Sequence, residues 1–193
     1  GIARARDVEE LLDLGDAFSQ PRRPAGCRVA VLTTSGGSGI LAADALVAHG
    51  LELAELAAHT VAGLDRIVPA FGATANPVDV TATVMADPAL FGRCLSLLAQ
   101  DPGVDALLAC FCVLIGADVD TLVTALAAVA DTVGKPVLAA RTGADHLAPD
   151  AAAGLRAAGI PTFPTPARTA AALAGLLRVS QRPVAAEIGQ APE

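Results

Sequence analysis

Tryptophan and tyrosine are absent from this sequence, and phenylalanine occurs only five times. A core formed by the 193 residues must therefore consist mainly of alanine, leucine and valine, and the apolar content of 53% is ample for one. No apolar run reaches the ~18 residues that a membrane-spanning helix needs. No signal peptide, with its charged and then apolar segments, opens the chain. The sequence thus predicts a cytoplasmic protein with no membrane partner.

Positive charge is also scarce. Lys135 is the only lysine, and the formal net charge is −7. Surfaces that bind nucleic acids need clustered lysine and arginine, so the composition argues against a nucleic-acid partner. Several of the arginines lie near the N-terminus, at positions 4, 6, 22, 23 and 28. The acidic balance indicates a well-solvated surface.

Spacing typical of metal ligands is missing. Cys110 and Cys112 form a C-x-C within an apolar run, but no histidine or second cysteine pair lies near them in the sequence. On a strand the two side chains would point to one face, and reduced core cysteine is favoured over a metal or redox site. The histidines at positions 49, 59 and 146 fall on different predicted elements. We therefore predict no metal site and no catalytic residue within the chain.

Runs typical of buried strands alternate with runs of helical periodicity. The predicted strands are 28–33, 51–56, 104–114, 135–141 and 160–163, with a brief extended segment at 76–81. The predicted helices are 7–18, 39–50, 60–71, 87–101, 118–134, 145–159 and 165–181. Asp7 and Glu10 have the spacing of a capping box for the first helix.

This alternation predicts a parallel sheet covered by helices on both faces. The favoured fold is α/β and flavodoxin-like, with about five strands in a doubly wound sheet and three α/β/α layers. We divide the chain into an N-terminal helix and linker (1–26), the flavodoxin-like domain (27–182) and a flexible tail (183–193). Ligands of such sheets bind outside the carboxyl ends of the strands, so candidate site residues follow the strands.

The stretch "LTTSGGSGI" (32–40) is the first such place. Its candidate phosphate-binding residues are Ser35, Gly36, Gly37, Ser38 and Gly39. Glycine permits close backbone approach, and amides at the start of a helix suit an anion, most often a phosphate. The pattern is neither G-x-G-x-x-G nor a P-loop. A tight strand-to-helix turn without a ligand is the alternative explanation for the glycines.

Two other strand ends supply weaker candidates. Asn76 and Asp79 in "NPVDV" have the chemistry to orient a ligand, although Asp79 is slightly better explained by hydrogen bonds to neighbouring loop amides. Gly116 precedes a second predicted helix start that could face an anion. The carboxylates of Asp118 and Asp120 would repel phosphate there unless they only cap the helix.

Several stretches together resemble the NDP-forming (ADP-forming) acyl-CoA synthetases. These are "RVAVLTTSGGSGILAADALVAHGLELAEL", "NPVDVT", "DPGVDALLACF", "GKPVLAAR" and "AAGIPTFPTPARTAAAL". The chain is similar, more distantly, to the carboxy-terminal domain of the succinyl-CoA synthetase β subunit. The resemblance runs from about Gly1 to Arg178, and it rests on the separations between these segments as much as on any one of them.

The resemblance implies a mechanism and partners. In the family an acyl phosphate passes its phosphoryl group to a histidine on a mobile loop, coenzyme A takes the acyl group, and the phosphohistidine exchanges phosphate with a nucleotide in an ATP-grasp domain. The flavodoxin-like domain directs helix N-termini at the phosphohistidine. The parent enzyme would use CoA, ATP or ADP, and Mg²⁺, with CoA-binding and ATP-grasp domains or subunits as partners. Assembly with copies of the chain itself is left open.

The family's phosphorylated histidine would lie roughly 25 residues before the first helix, outside this sequence. The "AHTVAG" around His59 imitates its motif but falls where the family has an ordinary segment leading into a helix. The chain is therefore expected to be inactive alone and to hold the phosphohistidine in a larger ligase. The alternative is a non-catalytic, ligand-sensing domain of a protein acetyltransferase.

Overall fold

A computed structural model describes residues 2–87, 89–112, 117–132, 134–143 and 149–181 of the chain. Within them lie six strands: β1 (Arg28–Thr33), β2 (Glu52–Leu53), β3 (Val78–Asp79), β4 (Ala106–Cys112), β5 (Val137–Thr142) and β6 (Thr162–Phe163). Seven α-helices accompany them: α1 (Val8–Ser19), α2 (Gly36–Ala48), α3 (Ala58–Leu64), α4 (Ala89–Gln100), α5 (Ala117–Thr132), α6 (Pro149–Ala157) and α7 (Pro166–Ser180). A 3₁₀ helix spans Thr81–Met85.

The strands form one parallel sheet in the order β2-β1-β4-β5-β6. β3 also pairs with β1, and it does so on the half of β1 that β2 leaves open. β2 pairs with Arg28 and Val29, whereas β3 pairs with Leu32 and Thr33. The sheet thus has five positions, one of them shared by two short strands. This confirms the predicted α/β fold with its flavodoxin-like strand order.

Alternating side chains of the strands build a core on each face of the sheet. Ala30, Leu32 and Leu107 belong to the core that is covered by α3, α4, α5 and α6. Val29, Val31 and Leu108 belong to the core that is covered by α2 and α7. Burial on both faces explains why the strands read as continuous apolar runs, as is usual in parallel sheets.

Helix α1 is packed onto α7 and so is part of the same compact unit. Asp13 accepts two hydrogen bonds from Arg168, with Nε–Oδ2 at 2.8 Å and Nη2–Oδ1 at 2.6 Å. Leu14 lies directly against Gly175, where a β-carbon would find no space. The predicted capping box is only half formed: Asp7 accepts from the Glu10 amide, but the Glu10 carboxylate turns to the amide of Arg6.

Several predicted boundaries were wrong. The second helix begins at Gly36 rather than at residue 39, and the third is Ala58–Leu64 rather than 60–71. The second strand keeps only two paired residues, the 76–81 segment contains a true strand, and the 3₁₀ helix was not predicted. Residues 183–193 lie outside the described part of the chain. Among the described helices, none combines the length and apolar character required to cross a membrane.

Candidate functional site

The glycine-rich segment forms the first turn of α2 at the carboxyl end of β1. We predicted that the helix starts at residue 39, with the preceding glycines in a loop that exposes its amides, and the structure corrects this, because Gly36 to Gly39 are helical. Ser35 is the N-cap residue, with extended backbone and no capping hydrogen bond from its side chain. The first helical hydrogen bond runs from the Gly39 amide to the Ser35 carbonyl at 3.0 Å. The amides of Gly36, Gly37 and Ser38 therefore lack an acceptor within the helix.

The three glycines of this turn have different surroundings. A β-carbon on Gly39 would lie 3.0 Å from Thr33 Cγ2 and 3.2 Å from Pro77 Cβ, so the buried turn requires glycine there. At Gly36 it would lie 3.2 Å from the Asp79 carboxylate. At Gly37 the nearest atom would be Ser35 Oγ, at 3.9 Å. Packing thus explains Gly39 but leaves Gly37, which is exposed, without a structural reason for being glycine.

A cluster of small polar groups lies beside this turn, where β4 and β5 end. Cys112 Sγ is 3.1 Å from Ser38 Oγ and 3.2 Å from Thr142 Oγ1. The Cys112 amide donates to Thr34 Oγ1 at 3.2 Å, which ties the ends of β1 and β4 together. The cluster therefore joins the first turn of α2 to the carboxyl ends of three strands.

The two cysteines of the C-x-C differ in their acidity. Burial raises the pKa of the Cys110 thiol to about 12. Burial also raises the pKa of Cys112, but hydrogen bonds from Ser38, Thr142 and Ser35 outweigh it and leave that pKa below its ordinary value. The expectation of reduced core cysteine is confirmed for Cys110, which is buried and free. Cys112 is also free, but the expected core position was wrong for it, because it is only half-buried and belongs to the polar cluster.

Asn76 fills the gap on the edge of β1 between β2 and β3. Its Oδ1 accepts from the Val31 amide at 2.9 Å. Its Nδ2 donates to the carbonyls of Val29 and Ala54 at 2.8 and 3.0 Å. These contacts commit the side chain to backbone groups that the short strands leave unpaired, and they favour a structural role over ligand orientation.

Asp79 lies at the end of β3, next to the start of α2. Its Oδ1 accepts from the Thr81 amide at 2.8 Å, as the preferred explanation in terms of loop amides predicted. Thr81 has a φ of 59°, which is unusual for a β-branched residue and marks a locally strained backbone. The Asp79 carboxylate thus stands beside the free amides of α2 and next to a strained turn.

The remaining candidates do not join this cluster. Gly116 lies outside the described residues. His59 is exposed at the start of α3, near Asp101. Burial raises the pKa of the Asp101 carboxyl, but hydrogen bonds and the proximity of His59 lower it by more, so the net pKa lies below its usual value. Asp101 precedes β4, so His59 lies at the opposite, amino edge of the sheet. Within the described ranges there is no group of three or more histidine, cysteine or acidic residues that could hold a metal ion.

Residues 29–185 match the Ligase-CoA domain family. The chain belongs to this family. The chain is 36% identical over 184 residues to the Pyrococcus furiosus protein named acetate–CoA ligase (ADP-forming) II subunit alpha, and the match covers 92% of the chain and 39% of that protein. The resemblance to NDP-forming acyl-CoA synthetases is thereby confirmed.

Solved structures agree with this assignment. A crystal structure of a Pyrococcus horikoshii OT3 protein superposes with a TM-score of 0.81 at 34% identity, over 92% of this chain and 41% of that one. The dinucleotide-forming acetyl-coenzyme A synthetase 1 of Ca. Korarchaeum cryptofilum, in complex with phosphate and ADP, gives 0.74 at 28% identity, over 89% and 37%. The chain therefore spans about two fifths of the length of each of these proteins.

Sequence reasoning placed the candidate site at the end of β1 but missed the polar cluster. Cys112 was assigned to the core because its neighbours in sequence are apolar. The signal that was available is its position as the last residue of the central strand, which is where parallel sheets expose side chains to ligands. Thr142 has the same position on β5.

Proposed function

We propose that this Ligase-CoA domain is part of an ADP-forming acyl-CoA synthetase and helps to hold its phosphohistidine intermediate. The observation that carries the proposal is the first turn of α2, where three amides have no acceptor in the helix and the N-cap side chain does not compete for them. No acidic residue lies in this first turn. The turn is thus suited to a negatively charged group brought by another part of the enzyme.

Electrostatics favours a phosphoryl group over other ligands at this turn. Aligned peptide dipoles place roughly half a positive charge at a helix N-terminus, and free amides at that position bind phosphate oxygens. Preorganised donors of this kind are worth roughly 3 kcal/mol each when charge develops in a reaction. Because Gly37 is exposed and carries no side chain, a phosphoryl group can approach the backbone closely.

Asp79 has a separate role in this proposal. Its carboxylate would lie 3.2 Å from a β-carbon added at Gly36, and it would repel a phosphoryl oxygen placed against it. A carboxylate is, however, a good acceptor for the second ring N–H of a phosphorylated imidazole. We therefore assign Asp79 to orienting the histidine ring while the amides of Gly36, Gly37 and Ser38 face the phosphoryl oxygens.

The rest of the reaction belongs to other domains. The Pyrococcus furiosus relative is named as a subunit, and the Korarchaeum structure was solved with phosphate and ADP. We propose CoA-binding and ATP-grasp domains or subunits as partners, and CoA, ATP or ADP, and Mg²⁺ as the cofactors of the parent enzyme. The 193-residue chain alone should not form acyl-CoA. The ligase names of its relatives favour this function over a sensor domain of an acetyltransferase.

The decisive experiment places Gly37→Asp in the parent enzyme and measures phosphoenzyme formation by quench-flow. A carboxylate would occupy the position of the phosphoryl group, so phosphorylation should slow by about a hundredfold, whereas CoA affinity should change little. Gly134→Asp is a control, because Gly134 is exposed with no atom within 4 Å of an added β-carbon and lines neither the glycine turn nor the cavities described below. Phosphorylation of the folded Gly37→Asp enzyme at the parent rate would show that the glycine turn has no role in phosphate binding.

A further inference from the structure

A cationic cavity lies at the amino edge of the sheet, at the opposite end of α2 from the glycine turn. It has a volume of about 640 Å³ and is lined by Ile2, Ala3, Arg4, Arg6, Glu10, His49, Arg178 and Gln181. The volume is within the range of small-molecule sites. The 13 residues of α2 separate it from Gly36 by roughly 20 Å, so the two places cannot share one small ligand.

The charges that line this cavity do not balance. Glu10 is the only carboxylate among the lining residues, and it forms an ion pair with Arg6 at 2.9 Å. Within the described residues, Arg4 and Arg178 form no ion pair within 4 Å. Hydrogen bonds from Arg6 lower the pKa of Glu10, and the charge of the nearby Arg178 adds to this effect, so one carboxylate faces three arginines in the cavity. The cavity is thus a local excess of positive charge on a chain whose formal net charge is −7, and it concentrates anions by attraction alone.

Helix stability explains only part of this arrangement. Arg178 in the last turn of α7 complements the negative end of that helix. Arg4 precedes the N-terminus of α1, where a helix dipole disfavours a cation. The N-terminal segment and α7 therefore both bring arginines to one cavity, and within the described residues Arg4 forms no ion pair there.

An apolar cavity of about 440 Å³ adjoins the cationic one, and Ala3 lines both. Its other lining residues are Leu11, Leu14, Gly15, Phe18, Arg23 and Val179. Leu11 is 59% exposed, so apolar surface is available to a ligand there. A molecule with an anionic head and an apolar group could occupy both cavities at once.

We propose that these adjoining cavities form a second ligand site of the chain, which binds a small phosphate ester carrying an apolar group. The phosphate would lie among Arg4, Arg178 and His49, and the apolar group would contact Leu11 and Phe18. Burial of the apolar group adds affinity that inorganic phosphate cannot gain. The site does not depend on the role proposed for the glycine turn.

The test is a calorimetric titration of the 193-residue chain with phenyl phosphate and with inorganic phosphate at low ionic strength, repeated while the ring signals of His49 are followed by NMR. We expect saturable one-to-one binding of phenyl phosphate, weaker binding of inorganic phosphate, and movement of the His49 signals. Arg178→Gln and Arg4→Gln should each weaken binding by roughly tenfold, because each removes a charge-assisted contact.

Two controls separate this site from other sources of anion binding. Arg66→Gln makes the same charge change at an exposed position on another part of the surface and should leave affinity unchanged. Gly37→Asp alters the glycine turn, for which we propose a phosphate-binding role of its own, and should leave unchanged the affinity that is measured from the His49 ring signals. The proposal would be overturned if Arg66→Gln lost as much affinity as the cavity variants, or if Arg4→Gln and Arg178→Gln both bound as the parent chain does. It would also be overturned by a loss of affinity in Gly37→Asp, or if phenyl phosphate did not bind at all. Loss confined to Gly37→Asp would instead support the phosphate role of the glycine turn.

Discussion

The thiol of Cys112 lies 3.1 Å from the hydroxyl of Ser38, although 74 residues separate the two in the sequence. This contact joins the end of the central strand to the first turn of α2, and it lowers the pKa of a cysteine that burial alone would make less acidic. The candidate site is thus held together by side chains as well as by the strand-to-helix junction.

Cys112 should be the most readily alkylated of the cysteines in β4. The thiolate is the reacting form, and the lowered pKa of Cys112 makes thiolate available at a lower pH than for an ordinary cysteine, whereas the pKa of Cys110 is raised to about 12. Ser38→Ala removes a hydrogen bond that lowers the pKa, so the pH profile of alkylation should move upward. Peptide mass spectrometry after iodoacetamide treatment measures both effects. Equal labelling of Cys110 and Cys112 would contradict the assignment.

Gly37→Ala and Gly39→Ala should change stability in opposite directions. An added methyl group at Gly37 meets open space and improves helix propensity, so the free energy of unfolding should rise by up to ~1 kcal/mol. At Gly39 the same methyl group would press on Thr33 and Pro77, and overpacking should cost about 1–3 kcal/mol. Urea unfolding of the two variants measures the difference. Stability losses of similar size would mean that Gly37 is also required by packing.

Asn76→Ala should destabilise the chain by about 3 kcal/mol. The substitution leaves the Val31 amide and the carbonyls of Val29 and Ala54 without their partner, and each unsatisfied buried group costs roughly 1–3 kcal/mol unless water reaches it. Gln181→Ala, which removes an exposed amide side chain, is the control and should have little effect. Parent-like urea unfolding of Asn76→Ala would indicate that water replaces the side chain at no cost.

Acid should weaken the fold through Asp105. The Arg28 guanidinium holds the pKa of this carboxyl below its usual range, with contacts of 2.8 and 2.9 Å. Because the pKa of this carboxyl is lower in the folded chain than in the unfolded chain, its ionised form stabilises the fold. This stability is fully present above the pKa of the unfolded chain, about 3.9, and is lost as the pH falls through the pKa of the folded chain. Asp105→Asn should therefore lose about 2 kcal/mol near neutral pH and show a shallower loss in acid.

Equilibrium unfolding at a series of pH values, for the parent chain and the variant, measures this effect. Asp87→Asn is a suitable control, because Asp87 also pairs with an arginine, Arg93, but both side chains of that pair are nearly half exposed, at 45% and 48%. Exposed pairs contribute little to stability. Identical acid profiles for Asp105→Asn and the parent chain would exclude Asp105 as a source of the pH dependence.

Local sequence patterns determined the fold class of this chain. Alternating apolar runs and helical periods specified a parallel sheet covered on both faces, because each run must bury its apolar side against the next layer. The glycines after β1 indicated where a ligand would meet the sheet, since close backbone approach depends on residue type alone. The resemblance to acyl-CoA synthetases followed from the same segments, and the match over residues 29–185 confirms it.

Tertiary contacts decided what these patterns leave open. Glycine is a poor helix former, so local propensity did not predict that α2 begins at Gly36. β2 and β3 are too short to be read from periodicity, and pairing with β1 defines them. The same pairing leaves the gap that Asn76 fills. The Ser38–Cys112 contact and the cavities beside Arg4 and Arg178 both form where segments that are distant in the sequence meet. Their proximity depends on the order of the strands in the sheet and not on neighbours in the chain.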